Sequence, residues 1–326
     1  MEVTVKPAGY VVQLRPNERI LDGFIRLGYQ VPYSCRNGNC NLCTATIIQG
    51  RAQCVAQTYG ARQTINTCRA IAVEDIILNW DSVLAPNELP VSRVFCQLTD
   101  IQALDGDVFR VQLLPPAGKP VRYFAGQYAL VEREDGEVAA FSIASAPHQA
   151  RYLELHILAR DNAPQALLAY ISAQQGATLS LPHGNVHSQQ LVEDKPLLLI
   201  AAGTGMAQMH SILEHYRALG AQQPIHLYWG ARQEADFYHV PNMDTWLSLP
   251  NLHYHKIVSH DQNWLGRKGL LFEAICEDIP QLEQYQVVVS GSPAMVYATQ
   301  DALVAAGMRP EQMLSDVFAY APRKPI

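Results

Sequence analysis

The chain contains Cys35-Arg36-Asn37-Gly38-Asn39-Cys40-Asn41-Leu42-Cys43, and a further cysteine follows at Cys68. Three cysteines separated by four and two residues, with a distant fourth, have the ligand spacing typical of a [2Fe–2S] cluster. Four thiolates must converge on two irons, so one tight loop supplies three and another element supplies the last. Asn and Gly in the loop tolerate the unusual backbone angles that aim N–H groups at sulfur. We therefore predict Cys35, Cys40, Cys43 and Cys68 as cluster ligands.

Two other roles for these cysteines fit the pattern less well. A zinc site usually shows two Cys-x-x-Cys pairs or a mixture of Cys and His, and no His lies between Cys35 and Cys43. A disulfide framework suits a small secreted domain rather than a long chain with seven cysteines. The odd number of remaining cysteines favours reduced thiols and hence a cytoplasmic protein.

Length and composition describe a multidomain globular protein. The 326 residues predict two or three domains, and 48% apolar residues provide ample core. A formal net charge of −6 argues against nucleic acid or an anionic membrane as a partner. No apolar run approaches the ~20 residues that span a bilayer, and the first residues alternate like a strand, which predicts no signal peptide. The oligomeric state has no signal in the sequence.

The elements around the cysteine loop form a recognisable series. Residues 2–6 and 10–14 predict a hairpin, and apolar residues at 3–4 spacing predict a helix from Asn17 or Arg19 to Gly28. After the loop, residues 44–48 and shorter extended pieces reach Trp80. This order resembles the β-grasp ferredoxin over residues 1–80. It departs at Asn41, where that family usually has Gly, and Asn is the mildest replacement at a left-handed position.

The residue pattern of the chain changes twice after the ferredoxin-like part. Residues 81–92 are a proline-punctuated linker, and the short β-rich segments 93–99, 108–114, 127–133, 138–143 and 152–158 predict an antiparallel barrel over 93–192. From residue 193 to 326, strand-like runs at 197–200, 225–229, 252–258 and 285–290 alternate with helical patterns at 206–219, 268–278 and 293–306. That alternation predicts a parallel, Rossmann-like α/β domain.

Gly203-Thr204-Gly205 lies where the first of these strands turns into a helix. Backbone N–H groups at such a turn can hold a pyrophosphate. Gln208 occupies the position of the third glycine of the full fingerprint, so an ordinary strand-to-helix turn is the alternative from these residues alone.

A longer series of short motifs strengthens the nucleotide interpretation. It comprises Phe124-Ala125-Gly126-Gln127-Tyr128, Phe141-Ser142-Ile143-Ala144-Ser145, Gly203-Thr204-Gly205, Tyr228-Trp229-Gly230-Ala231-Arg232, Ser290-Gly291-Ser292-Pro293 and Asp316-Val317-Phe318-Ala319-Tyr320. In this order they resemble the ferredoxin–NADP reductase superfamily over residues 93–326, and especially its flavin-reductase branch. The whole chain resembles the single-component reductases that serve oxygenases or deoxysugar dehydratases. The fold class expected is multidomain α+β and α/β, with a β-grasp ferredoxin, an antiparallel β-barrel flavin domain and a Rossmann-like nucleotide domain.

The resemblance implies a flavin in the barrel domain, and it favours FAD over FMN. Phe141 would pack on the isoalloxazine and Ser142 would hydrogen-bond its N5 atom. The family's phosphate-binding Arg falls at Ala139, and the loss of a bidentate contact worth about 1.5–3 kcal/mol predicts weaker flavin binding. Arg160 and Arg133 are the alternative cations for that phosphate.

The resemblance also implies a nicotinamide nucleotide. Gly203, Thr204 and Gly205 would meet its pyrophosphate, while Arg232 and Asp236 would lie near the adenosine ribose. An acidic residue there favours NADH, with NADPH as the alternative. Ser290 takes the position beside the nicotinamide where the family often has Cys. The remaining implied residues are two aromatic side chains of the C-terminal segment that would cover the flavin, Phe318 and Tyr320.

We therefore expect an NADH-dependent flavin/iron–sulfur reductase, with Ser142 and Ser290 as catalytic residues. A nicotinamide gives up two electrons as a hydride and a [2Fe–2S] cluster takes one, so a flavin is needed between them. The expected acceptor is a redox protein, with an oxygenase component as the leading candidate. Two alternatives stay open, a flavin or deoxysugar-dehydratase reductase and a non-enzymatic iron–sulfur redox sensor or scaffold with weakened flavin binding.

Overall fold

A computed structural model of the chain describes residues 1–86, 88–118, 121–149 and 151–323. Its contacts divide the chain into two compact units, Met1–Pro90 and Val91–Ile326. No helix within the described residues combines the length and the apolar character needed to cross a membrane.

The first unit is a mixed β-sheet with one helix packed against it. The sheet has the order β2-β1-β8-β3-β6, in which β1 and β8 are parallel and the other neighbours antiparallel, and a smaller sheet has the order β5-β4-β7. This arrangement confirms the predicted β-grasp fold. The elements in chain order are β1 (Glu2–Lys6), β2 (Tyr10–Gln13), α1 (Ile20–Arg26), β3 (Thr44–Gln49), β4 (Ala52–Cys54), β5 (Gln57–Tyr59), β6 (Thr64–Asn66), β7 (Ala70–Ala72) and β8 (Ile76–Asn79).

Helix α1 shows why this part of the sequence folds as predicted. Ile20, Leu21 and Phe24 share one face of the helix and are fully buried. Phe24 packs edge-on against Trp80, with ring centroids 5.2 Å apart. Shortly after the helix, Gly28 adopts φ +83°, a left-handed conformation that glycine reaches without strain.

The second unit begins with a nearly closed antiparallel barrel. Its sheet order is β12-β11-β14-β9-β10-β13, and a bridge between Ile143 and Leu155 joins the two edges. The five predicted strands are present, whereas α2 and β14 were not predicted. The elements in chain order are β9 (Ser92–Ala103), β10 (Val108–Leu114), β11 (Tyr128–Glu132), β12 (Val138–Ser142), β13 (Leu153–Leu158), α2 (Asn162–Gln174) and β14 (Gly176–His183).

The rest of the second unit is a parallel sheet of order β18-β17-β16-β15-β19-β20. The predicted helix over 268–278 is corrected to Leu271–Asp278, because Arg267 and Lys268 pair as a short strand and Gly269 has φ +126°. The elements are β15 (Leu197–Ala202), α3 (Met206–Ala218), β16 (Ile225–Ala231), α4 (Met243–Leu247), β17 (Leu252–Val258), β18 (Arg267–Lys268), α5 (Leu271–Asp278), β19 (Gln286–Ser290), α6 (Pro293–Ala305), β20 (Met313–Leu314) and α7 (Val317–Tyr320).

Strand β15 lies in the middle of this sheet and faces a different core on each side. Leu197 and Leu199 pack in a cluster with residues of α3, whereas Leu198 and Ile200 pack in a cluster with residues of α5 and α6. Both faces of the strand are therefore buried, which explains its uninterrupted apolar sequence. The strand delivers Gly203 to the carboxyl edge of the sheet, where open α/β sheets bind ligands.

Candidate functional site

The cysteine loop is shaped by left-handed backbone at Arg36, Gly38 and Asn41, whose φ angles are +53°, +87° and +55°. This path turns N–H groups toward sulfur, and the N–H of Cys40 donates to Sγ of Cys35 at 3.3 Å. Hydrogen bonds from the N–H groups of Asn37 and Cys40 lower the pKa of the Cys35 thiol to about 6. These hydrogen bonds favour the thiolate form of Cys35, which is the form that binds iron.

Cys68 reaches the same site from the turn between β6 and β7. Thr67 fixes its approach, because both the backbone N–H and the hydroxyl of Thr67 donate to the carbonyl of Cys43, at 3.1 and 2.8 Å. Burial, followed by contact with the Cys43 thiol, raises the pKa of Cys68 to about 11. Cys43 and Cys68 are buried, Cys35 and Cys40 are partly exposed, and all four are free thiols. This donor set, with amide groups aimed at one sulfur, fits a [2Fe–2S] cluster.

In the second unit, a cavity of about 570 Å³ is lined from both the barrel and the parallel sheet. Phe141 and Ser142 line it from β12, while Gly205, Ser290 and Tyr320 line it from the nucleotide side. The structure thus brings together five residues that the sequence analysis singled out at distant positions.

Gly203 and Gly205 have different reasons to be glycine. Gly203 adopts φ +54°, and a side chain there would meet nothing within 4 Å. At Gly205 an added Cβ would lie 2.3 Å from the carbonyl oxygen of Ser290, so only glycine allows the two segments to approach. The indole of Trp229 holds the turn by donating to the carbonyl of Gly203 at 3.0 Å.

Gln208 stands in place of the third glycine and performs a structural task. Its buried side-chain amide donates to the carbonyl of Gly126 at 2.7 Å and to the carboxylate of Asp316 at 3.0 Å. Asp316 lines the first cavity, and burial raises its pKa to about 6 although Gln208 donates to it. No role for Gln208 or Asp316 could be predicted from sequence, because the contacts that define their roles join residues more than 80 positions apart.

A second cavity, of about 630 Å³, adjoins the first and shares Ala202, Thr204 and Ser292 with it. Arg232 and Asp236 line it, next to Gly203. The two cavities therefore lie side by side at the carboxyl edge of the sheet.

Asp236 is already paired within this second cavity. Its carboxylate accepts hydrogen bonds from Arg160 at 2.7 Å and from the backbone N–H of Gln233 at 3.0 Å. Burial alone would raise the pKa of Asp236, but these two hydrogen bonds lower it overall. Arg160 also donates to Asp107 at 3.0 Å, so a barrel cation bridges two carboxylates at the cavity edge.

Three sequence-selected residues lie away from the first cavity. Phe318 packs against Tyr297 with ring centroids 5.5 Å apart, so Tyr320 alone of the two C-terminal aromatics lines that cavity. Ala139 packs toward the barrel core, and its neighbour Ala140 faces the cavity. Arg133 pairs with Asp135 at 2.7 Å and does not line the first cavity.

Two family models match the chain. Residues 3–73 match a 2Fe-2S iron-sulfur cluster binding domain, and residues 199–301 match an oxidoreductase NAD-binding domain. With the fold and the cysteine loop, these matches define an oxidoreductase that joins an iron–sulfur domain to an NAD-binding domain. They confirm the predicted cluster and nicotinamide nucleotide.

Relatives and solved structures extend these matches. An NAD(P)H-flavin reductase of Vibrio harveyi is 33% identical over 237 residues, covering 69% of this chain and 98% of the relative. A CDP-6-deoxy-L-threo-D-glycero-4-hexulose-3-dehydrase reductase of Yersinia pestis is 28% identical over 98% of both chains, and a terephthalate 1,2-dioxygenase reductase component of Comamonas is 28% identical over 94% of both. A cytochrome P450 reductase of Amycolatopsis shares the fold, with TM-score 0.67, 23% identity and coverage of 96% of this chain and 97% of its own. The chain belongs to the ferredoxin–NADP reductase superfamily, with an N-terminal ferredoxin domain and a C-terminal part similar to NAD(P)H-flavin reductases.

Proposed function

We propose that the protein oxidises NADH and passes the electrons through a flavin to its [2Fe–2S] cluster and then to an acceptor protein. The observation that carries this proposal is the first cavity, whose wall combines Phe141 and Ser142 of the barrel with Gly205 and Ser290 of the parallel sheet. A hydride donor and its acceptor must meet in one place, and this cavity offers one wall to each. In this function residues 1–80 would hold the cluster, residues 93–192 the flavin and residues 193–326 the nucleotide. Residues 81–92 would be the linker between the cluster domain and the flavin domain.

The residues of the first cavity suit a flavin. Phe141 and Ser142 both lie on the cavity wall, where Phe141, which also packs against the barrel core, supplies apolar surface and Ser142 a hydroxyl. Tyr320, with 64% of its surface exposed, can cover a bound ring or move aside. When bound, a flavin takes up a hydride and releases electrons singly. The protein's part is to hold the two rings in contact, to present Ser142 and Ser290 near the reacting atoms and to keep water out.

The second cavity suits the adenosine half of NADH. Backbone N–H groups at Gly203, Thr204 and Gly205 would meet the pyrophosphate at the start of α3. Arg232 would contact the adenosine end, and the carboxylate of Asp236 would accept from a ribose hydroxyl and repel a 2′-phosphate.

The acceptor is proposed to be an oxygenase component. Full-length relatives include the reductase component of a terephthalate dioxygenase, and Cys35 and Cys40 lie at a partly exposed edge from which electrons can leave. The seven free cysteines support a reducing, cytoplasmic location.

One observation favours a second function, reduction of free flavin. No Lys or Arg occurs among the described residues that line the first cavity, and Arg160 lines only the second one. A cavity without a cation would hold a flavin phosphate weakly, so flavin would exchange as a substrate. This is the activity for which the Vibrio harveyi relative is named.

Anaerobic purification of the whole chain, with its cluster assembled, tests the proposal. We expect cluster absorbance that NADH bleaches in the presence of catalytic flavin, together with reduction of cytochrome c as a surrogate acceptor. The Cys40→Ser variant is the matched control, because it should lose the cluster absorbance that NADH bleaches yet keep NADH-driven reduction of flavin.

The outcomes separate the candidates. Flavin that co-purifies and feeds the cluster supports the electron-transfer reductase, whereas rapid reduction of added flavin with a cluster that stays oxidised supports the flavin reductase. If NADH reduces neither the cluster nor the flavin when FAD or FMN is added, both enzymatic functions are excluded and the iron–sulfur sensor is supported.

A further inference from the structure

Strand β13 carries polar side chains on a face that is not exposed. Leu153, Leu155 and Ile157 point into the barrel core, as the alternation of the sequence requires. Glu154 and His156 point the other way, yet they are only 8% and 3% exposed. Helix α3 lies over this face and contributes His210, whose ring stacks on that of His156 with centroids 5.9 Å apart.

These three side chains bring metal-binding atoms together. One ligand atom from each of Glu154, His156 and His210 lies within 4.8 Å of the other two, and no other such group occurs in the described part of the chain. We propose that Glu154, His156 and His210 bind one divalent transition-metal ion, of the kind that prefers imidazole and carboxylate ligands. This site is independent of the proposed electron-transfer function and of the cysteine ligands.

The distances require only a side-chain adjustment. Ligand atoms around a tetrahedral zinc ion lie roughly 3.3 Å apart, given bonds of about 2.0–2.2 Å. Glu154 Oε1 and His156 Nε2 already lie 3.0 Å apart. The His210 ligand atom lies within 4.8 Å of the other two, so it would have to move closer by up to about 1.5 Å for all three to bind one ion.

His210 is the residue that points most directly to a ligand. It is 2% exposed. The backbone of Ala144 is placed to hydrogen-bond one ring nitrogen, and the other nitrogen has no hydrogen-bond partner within the described residues. Buried imidazole nitrogens normally have partners. A metal ion facing His156 and Glu154 would provide one.

Outer contacts hold the other two ligands in place. His156 Nδ1 lies 3.0 Å from the hydroxyl of Tyr238, which leaves Nε2 to face the site. The second carboxylate oxygen of Glu154 accepts from the side-chain amide of Gln112 at 3.3 Å. Partners of this kind orient metal ligands in known sites.

The position suggests what the ion would do. Glu154 and His156 belong to the barrel and His210 to the helix that follows the glycine turn, so one ion would link the two halves of the second unit. His156 also lines the first cavity, which gives the ion an entry path. We therefore assign the ion a structural role, which is to hold β13 of the barrel against α3.

Zinc binding to the whole chain tests this proposal. The protein, with its [2Fe–2S] cluster assembled so that the cysteines are occupied, is titrated with Zn²⁺ against a chromophoric chelator. We expect one tightly bound Zn²⁺ per chain and a zinc-edge X-ray absorption spectrum with nitrogen and oxygen ligands and imidazole scattering. Zinc that is not retained, or that shows sulfur scattering, would overturn the site.

Variants locate the ion. His210→Gln and Glu154→Gln should each weaken zinc binding about 100-fold, and Tyr238→Phe, an outer contact, about tenfold. His253→Gln is the matched control, because His253 is an exposed histidine on β17 outside the group. Equal affinity in His210→Gln and wild type overturns the proposal. If that variant does not fold, zinc-dependent and EDTA-reversible protection of the wild type against heat supports the site, and its absence refutes it.

Discussion

The side-chain amide of Gln208 donates a 2.7 Å hydrogen bond to the backbone carbonyl of Gly126. This bond joins the first turn of α3 to the barrel, at a position where the dinucleotide fingerprint would have its third glycine. Gly126 itself has φ +102°, and a side chain there would lie 2.7 Å from the carbonyl of Val186, so the barrel segment is built to come this close. At this position a glutamine therefore links α3 to the barrel, where the dinucleotide fingerprint would have a glycine.

Replacing Gln208 by Ala should destabilise the second unit. The change leaves the Gly126 carbonyl and one oxygen of Asp316 without this donor in a buried place, at a cost of about 1–3 kcal/mol. Urea unfolding followed by tryptophan fluorescence measures the loss. The control is Gln222→Ala, which removes a similar hydrogen bond to Gly220 on the surface and should change the free energy of unfolding by less than about 0.5 kcal/mol. Similar losses in the two variants would contradict the role given to Gln208.

Asp316 should make stability depend on pH in an unusual direction. Its pKa is raised by burial to about 6 from 3.8, so the folded state holds the proton more tightly than the unfolded chain. The resulting stabilisation is complete below pH 3.8 and is lost as the pH rises through about 6. Asp316→Asn should therefore gain on the order of 2 kcal/mol relative to wild type between pH 4 and pH 7.

The measurement is the difference in unfolding free energy between variant and wild type at several pH values. Asp301→Asn provides the control, because Asp301 is exposed and its contact with Arg323 lowers its pKa, so no gain between pH 4 and pH 7 is expected. A difference curve for Asp316→Asn that is flat across this range would show that Asp316 titrates normally.

Ala139 and Ala140 give a matched test of the flavin site. Because Ala139 packs toward the barrel core, an arginine at position 139 should not reach the first cavity and should leave FAD binding unchanged. An arginine at position 140 points into the cavity and should weaken it by occupying space. Fluorescence titration with FAD reports both. If Ala139→Arg tightens FAD binding by roughly 10–150-fold, the side chain at position 139 does reach the flavin phosphate.

Asp236 should control the choice between NADH and NADPH. Asp236→Ala removes a carboxylate from the second cavity and frees Arg160, a cation able to contact a 2′-phosphate. The ratio of kcat/KM for NADPH to that for NADH should rise about tenfold or more, since each tenfold change needs only about 1.4 kcal/mol. Asp107→Ala also frees Arg160 from a partner but keeps the carboxylate of Asp236, so its ratio should stay near wild type.

Much of the fold could be predicted because local pattern and burial agree. The apolar run 197–200 predicts a strand covered on both faces, and β15 is one. Strand β14 and helix α2 were missed because Gly176 and Pro164 weaken the local signals and pairing with β9 and β11 is decided at long range. On β13 the alternating sequence resembles a half-exposed strand, and only the arrival of α3 buries Glu154 and His156.

The site was predictable where a motif carries the chemistry. The cysteine spacing and Gly203-Thr204-Gly205 are local, so sequence alone indicated them. The partners that change their behaviour are distant in the chain, such as Arg160 on Asp236 and Gln208 on Asp316. Phe318 and Tyr320 could not be told apart from sequence either. They lie on one short helix, but the ring of Phe318 packs against Tyr297 whereas Tyr320 lines the first cavity.

The wall between the two cavities has a kinetic consequence. Because Ala202, Thr204 and Ser292 line both, a substitution there would change at once how long a nucleotide stays bound and how its reacting end is aimed. Arg232 lines the second cavity and not the first, so substitutions there would alter how long the nucleotide stays bound with little effect on the alignment of its reacting end. In the proposed function, such a division would let the rate of product release be adjusted at one end of the nucleotide while the geometry of hydride donation is preserved at the other.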